Sequence, residues 1–288
     1  MLKKRIIATL IVKDGIVVQS IGFGKYLPVG KPQIAIEFLN QWGIDEIVYL
    51  DISATKNNIG PDYKAIRESA KMCQVPLTVG GGITNVNQMR ELMHCGADKI
   101  SLNNAVLNDL NLISSAAKVF GNQCIVASVD VKKIENSYKV YNYLKNEHEN
   151  IVLEKYISNI LISGAGEIFL NSVDRDGSYL GYDYELINNI CKLTSVPVIC
   201  SGGAKNGLDM QEVFKMTNVS GASASNFFHF TEHSVIISKS MIKKSIDIRL
   251  DTQSKYTDFS FDKNMRLRKR SDKYLEDMLF VKIEKDII

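Results

Sequence analysis

Cysteine is scarce and unpatterned in this chain, five among 288 residues with no C-x-x-C pair, which excludes a disulfide scaffold and a thiolate metal site as its organising device. Cys73, Cys95, Cys124, Cys191 and Cys200 each lie in or beside an apolar stretch, where a small buried thiol is ordinary, so a reduced cytoplasmic protein is expected. Charge of one sign is also lacking. The formal net charge is only +3, and the basic residues are spread out except for Arg266, Arg268, Lys269 and Arg270, so no nucleic-acid partner is expected. Long hydrophobic runs are missing too. The opening MLKKRIIATLIVKDG is apolar only until Lys13 and Asp14, too short for a signal segment or a membrane span, and no membrane association is expected. Neither a metal nor another cofactor is called for.

What is present is a repeated short strand signal. With 45% hydrophobic residues the chain can bury one large core. Apolar runs RIIATLIV, EIVYLDIS, PLTVGGG, KISLNNA, CIVASVD, EIFLNSV, PVICSGG and GASASNF recur between amphipathic stretches. Eight strands alternating with helices predict parallel β/α units and, at this length, a closed (βα)8 TIM barrel rather than an open doubly wound sheet. Helical spacing at Ile34, Phe38 and Leu39 ends near Gly43, and at Met89, Leu92 and Met93 near Gly96. An internal repeat supports closure: RIIATLIVKDG resembles CIVASVDVKK, placing Ile6 on Ile125, and VPLTVGGGI resembles VPVICSGGA, placing Pro76 on Pro197. Two copies of a four-strand unit make eight. The expected organisation is a barrel over 1–250 and a C-terminal extension over 251–288. The segment Lys132 to Asn150, with SYKVYNYL as a hairpin, is expected to stand outside the repeat as a functional loop.

Chemistry is expected at the C-terminal ends of the strands, where barrel loops converge. Glycines recur there at equivalent places in both halves, and side-chain-free backbone lets N–H groups approach a phosphate. One phosphate site is expected at Gly81, Gly82 and Asn103, another at Asp176, Gly177, Gly202, Gly203 and Asn226. A substrate with a phosphate at each end follows. Asp130 ends an otherwise apolar fifth strand, where burial raises a carboxylate pKa and suits it to proton transfer. Its counterpart in the first half is Ile11, a hydrocarbon. At the strand starts stand Arg5, Glu46, Lys99 and Glu167, which period-2 alternation places on the inward face. On spacing alone they fit equally a salt-bridged ring across the barrel bottom or four solvated charges at its rim.

LTVGGGI, GADKISLNNA, SVDRDG, GYD, SGGA and NFFHF together resemble the cyclase subunit of imidazole glycerol phosphate synthase, from Lys3 to about Phe230. The resemblance implies a half-barrel repeat, two phosphate sites for a bisphosphorylated ribulosyl substrate, and a glutaminase subunit docked as a heterodimer on the N-terminal face. Ammonia released there would cross the barrel, and lyase and cyclisation chemistry would give imidazole glycerol phosphate and an aminoimidazole ribotide. It also implies a charged ammonia gate at Arg5, Glu46, Lys99 and Glu167, a partner contact at Asp98, and proton transfer by Asp130. The departures lie on the active face: Ile11 replaces the family's second aspartate, Gln19 the lysine of its mobile first loop, and Asn104 a threonine beside the first phosphate. Two other readings remain: a paralogue that channels ammonia to a sugar amidotransferase of surface-polysaccharide synthesis, and a phosphosugar isomerase, which would itself want an acid at position 11.

Overall fold

A computed structural model describes residues 3–231 and 233–250, with 262, 263, 266–268, 271 and 273 beyond them; most of the 251–288 extension lies outside the described residues. Twelve strands follow one another among the described residues. They are β1 (Arg5–Lys13), β2 (Ile16–Ile21), β3 (Lys25–Gly30), β4 (Glu46–Asp51), β5 (Leu77–Gly80) and β6 (Lys99–Leu102), then β7 (Ile125–Ile134), β8 (Ser137–Asn142), β9 (Glu147–Val152), β10 (Glu167–Ser172), β11 (Val198–Ser201) and β12 (Gly221–Ala224). Eight of them, in the order β10-β11-β12-β1-β4-β5-β6-β7, are joined in parallel, and β7 pairs with β10 to close the barrel. The closed (βα)8 barrel expected from the alternation is the fold.

The strand runs are apolar on both faces because both are covered. Ile6, Leu10, Ile47, Tyr49, Ile125 and Ile168 point outward into the layer between sheet and helices, whereas Ile7, Val48, Val126, Phe169 and Ile199 form a separate buried cluster inside the barrel. Several helices begin at side-chain caps that satisfy otherwise orphaned N–H groups: Asn85 accepts from Gln88 N–H, Asp183 from Leu186 N–H, and Asn206 from Leu208 and Asp209 N–H. In the helix Pro32–Gln41 the buried stripe is Pro32, Ile36 and Leu39. Ile34 and Phe38, which looked like its core positions, are 53% and 48% exposed.

The hairpin after the fifth barrel strand does not stand outside the repeat. In the second half β7 runs on past the barrel into the antiparallel pairs β7–β8 and β8–β9; in the first half β1 does the same with β2 and β3. Both turns carry a positive φ, at Asp14 and at Glu135. The symmetry was hidden because the hairpins are surface structure whose side chains have diverged, while their backbone pairing has not. The two hairpins meet over the mouth, with Phe23 and Tyr141 edge to face at 6.1 Å between ring centroids.

Candidate functional site

Four charges close the bottom of the barrel. Arg5 of β1 reaches both Glu46 of β4 and Glu167 of β10, and Lys99 Nζ of β6 lies 2.9 Å from Glu46 Oε1 and 2.7 Å from Glu167 Oε2. Each cation bridges both carboxylates, so the quartet is a ring. Glu46 and Glu167 are buried, and Thr78 Oγ1 donates to Glu46 Oε1 at 3.0 Å, so both carboxylates keep partners in place of water. Asp98, exposed at the start of β6, accepts the Leu77 N–H at 2.8 Å.

Above the ring the barrel interior is layered. The cluster of Ile7, Val48, Val126, Phe169 and Ile199 comes next, and then hydroxyls, with Thr9 Oγ1 and Ser223 Oγ 2.6 Å apart. The mouth opens as a cavity of about 860 Å³, lined by Phe169 at its floor and by Ser101, Ser128, Asn171 and Asp130 higher up. Asp130 is buried, and that burial raises its pKa to about 6 despite donors that favour the carboxylate. Asn103 Nδ2 donates to Oδ2 at 2.8 Å, and Asn171 Nδ2 to Oδ1 at 3.3 Å. A carboxylate so poised exchanges protons near neutrality. Ile11 also lines the cavity. Asp51, a carboxylate that also lines the cavity, caps the helix Ile52–Lys56, its Oδ1 accepting from Ser53 and Ala54 N–H and from Ser53 Oγ.

The glycines expected at phosphates have a structural task as well. A Cβ on Gly81, at φ +116°, would sit 2.2 Å from Asp51 O, and one on Gly202, at φ +99°, would sit 2.7 Å from Ser172 O. Each lets a βα turn touch the loop of the preceding strand, at equivalent places in the two halves. Gly81, Gly82 and Asn103 line the cavity; Gly177, Gly202, Gly203 and Asn226 do not. On that second side the polar groups hold the first βα hairpin. Asp176, which does line the cavity, accepts from Ser20 Oγ at 2.6 Å and from Phe23 N–H at 3.1 Å, while Asn226 both accepts from Ser20 N–H and donates to Ser20 O. Burial raises the Asp176 pKa, and those donors oppose the rise. Among the described residues no cluster of His, Cys, Asp or Glu has the geometry to hold a metal ion, and no helix is long and apolar enough to cross a membrane.

A family model described as histidine biosynthesis protein matches residues 5–234. The chain belongs to that family. It is 40% identical over 251 residues to the imidazole glycerol phosphate synthase subunit HisF of Natranaerobius thermophilus, a match covering 87% of this chain and 100% of the relative. It is 38% identical to the subunit of the same name from Streptococcus mutans, over 86% of this chain and 100% of the relative. A Vibrio vulnificus protein provisionally named imidazole glycerol phosphate synthase subunit hisF2 is 40% identical, over 91% of this chain and 97% of the relative. Within this histidine-biosynthesis barrel, two of the residues at which the resemblance implies a departure sit as follows. Gln19 turns from the cavity to Tyr179, its Nε2 3.1 Å from the phenolic oxygen, and Asn104 lines the cavity with its Nδ2 3.4 Å from Asn142 Oδ1 in the second hairpin. Asn171 shares the inward face of β10 with Glu167, but its bond to Asp130 was not foreseen, since the partner lies on another strand.

Proposed function

We propose that this chain is the ammonia-using lyase/cyclase subunit of an imidazole glycerol phosphate synthase, working with a glutaminase subunit docked on its N-terminal face. The observation that carries the reading is a continuous order along the barrel axis: a four-charge ring, an apolar layer, then a polar cavity with a buried Asp130 whose pKa is raised to about 6. The ring is the gate, Asp98 faces the partner, and ammonia crosses the apolar layer to a bisphosphorylated ribulosyl substrate. One phosphate lies against Gly81, Gly82 and Asn103. The other belongs with Asp176, Gly177, Gly202, Gly203 and Asn226, and to admit it the first hairpin must release Ser20 from Asp176 and Asn226. Asp130 moves the proton, and the products are imidazole glycerol phosphate and an aminoimidazole ribotide. Turnover of the bisphosphorylated substrate with ammonium salt tests this directly, and a chain inert in that assay with and without its glutaminase is no cyclase.

One observation favours a second reading, a paralogue with little cyclase activity that passes ammonia to a sugar amidotransferase of surface-polysaccharide synthesis. Ile11 lines the cavity where the resemblance implies an acid; Asp51, which also lines it, has its Oδ1 engaged in a helix cap, and Gln19 turns to Tyr179. Losing one of two proton-transfer groups costs about 10² to 10⁴ in rate. The change Ile11→Asp is expected to raise ammonium-dependent turnover by a factor in that range, with a smaller change in substrate affinity. If Ile11→Asp stays inert while a glutaminase partner is still stimulated, the conduit reading replaces the cyclase one.

A further inference from the structure

The turn of the second hairpin, between β8 and β9, places Tyr143 in the cavity wall, which it shares with Thr55, Gly81, Gly82, Asn103 and Asn104. That turn is held from within. Asn142 is buried, and its Oδ1 accepts from the Leu144 N–H at 3.0 Å and the Lys145 N–H at 3.2 Å, while its Nδ2 donates to Glu149 Oε1 at 2.6 Å. The Tyr141 hydroxyl donates to Asn146 Oδ1. Asn104 Nδ2 reaches the same Asn142 Oδ1 at 3.4 Å, which fastens the turn to the helix that follows β6. A side chain on so constrained a turn is presented to a ligand with little further ordering cost.

Thr55, in the helix Ile52–Lys56, connects this phenol to the glycine loop after β5. Its Oγ1 accepts the Gly82 N–H at 3.0 Å, and its hydroxyl hydrogen-bonds to Tyr143. The chain thus fills, with a hydroxyl of its own, the place that an anion oxygen would take at Gly82. A phosphate oxygen arriving there replaces Thr55 as acceptor and frees both hydroxyls to donate to the phosphate. Burial raises the Tyr143 pKa, the Thr55 hydrogen bond opposes the rise, and the charges of Asp130 and Asp51 add to it, so the phenol keeps its proton. A protonated phenol donates to a phosphate dianion, whereas a phenolate would repel it.

We infer that Tyr143 is a substrate-contacting residue: with Thr55 it donates to the phosphate seated at Gly81, Gly82 and Asn103, so both halves of the chain build that one site. This rests on the cyclase reading above. The test titrates the full-length parent and full-length Tyr143→Phe with the bisphosphorylated ribulosyl substrate in ammonia-free buffer, and separately with the two products, each of which keeps one phosphate. Tyr143→Phe is expected to bind the substrate roughly tenfold or more weakly, the loss typical of one hydrogen bond to a charged group. It should weaken one product by a like factor and leave the other within about twofold. With ammonium salt, KM should rise by the same order while kcat stays within about threefold, because the contact is made equally in the bound substrate and in the transition state. The unaffected product also controls for folding, since a distorted cavity would weaken both. Substrate affinity within about twofold of the parent, equal losses for both products, or a fall in kcat at constant KM overturns the inference. A parent that binds none of the three ligands rejects the cyclase reading and the inference with it, a result distinct from binding that ignores the phenol.

Discussion

Asp130 has opposing effects on stability and chemistry. Its native pKa of about 6 lies above the ordinary aspartate value of 3.8, so the folded state holds its proton more tightly than the unfolded state. Stability from this group is therefore greatest at low pH and falls as pH rises from about 4 to 6; above that the full cost of burying the charge is present. At about 1.36 kcal/mol per unit this cost is on the order of 3 kcal/mol. Asp130→Asn should accordingly be more stable than the parent at pH 7 by roughly 1–3 kcal/mol, with the difference vanishing near pH 4, while its turnover collapses. Denaturant titrations at both pH values check this, and equal stabilities at pH 7 would remove the buried-charge account. The amides tune the same group: Asn171→Ala deletes a donor to the carboxylate, so the acid inflection of the pH–rate profile should move up. A fall in rate with no movement of that inflection would show Asn171 acting on substrate and not through Asp130.

At the scale of turns and strands, the glycine clusters are where packing and the proposed phosphate binding coincide. Gly81 at φ +116° has Asp51 O 2.2 Å from where a Cβ would stand, whereas Gly15 at φ +77° faces open space. Gly15→Ala should cost only the left-handed backbone penalty of about 1–2 kcal/mol. Gly81→Ala adds a backbone collision and should cost clearly more in urea unfolding; equal costs would mean that the Asp51 loop yields freely. The same comparison shows what a sequence can carry. The strand runs and the quartet Arg5, Glu46, Lys99 and Glu167 were legible because burial on both faces writes continuous apolar runs, and because an inward charge at a strand start shares its face with site residues. Which of two fates the quartet met was not legible, since ring closure depends on four strands meeting. Nor was the engagement of Asp176 and Asn226 by Ser20 of β2: Gly22, Gly24 and Pro28 read as a flexible loop, and only the antiparallel register shows a hairpin. The capping role of Asp51 was not legible for a related reason, because a cap and a catalytic acid look alike in sequence until the N–H groups ahead of it are placed.

For the molecule as a whole, the proposed function makes the barrel a filter between two faces. An ammonium ion entering the layer of Ile7, Val48, Val126, Phe169 and Ile199 would lose its hydration with no counter-charge, a penalty of several kcal/mol even after relaxation, whereas neutral ammonia crosses at the cost of a few hydrogen bonds. The ring below does not supply that selectivity. Its carboxylates are already bridged by Arg5 and Lys99, so in the proposed function its part is to stay shut until a link opens. The apolar layer is therefore the place to block transit without touching either active site. Val48 is 1% exposed and points into the layer. Val48→Phe should fill it, at an overpacking cost of about 1–3 kcal/mol. With a glutaminase bound, glutamine-supplied turnover should fall severalfold, while turnover on ammonium salt, which reaches the cavity from the mouth, and glutamine hydrolysis by the partner stay near the parent values. If both nitrogen sources lose activity equally, the substitution has distorted the cavity. If neither does, ammonia travels outside the barrel, and the order of ring, apolar layer and cavity is a matter of stability alone.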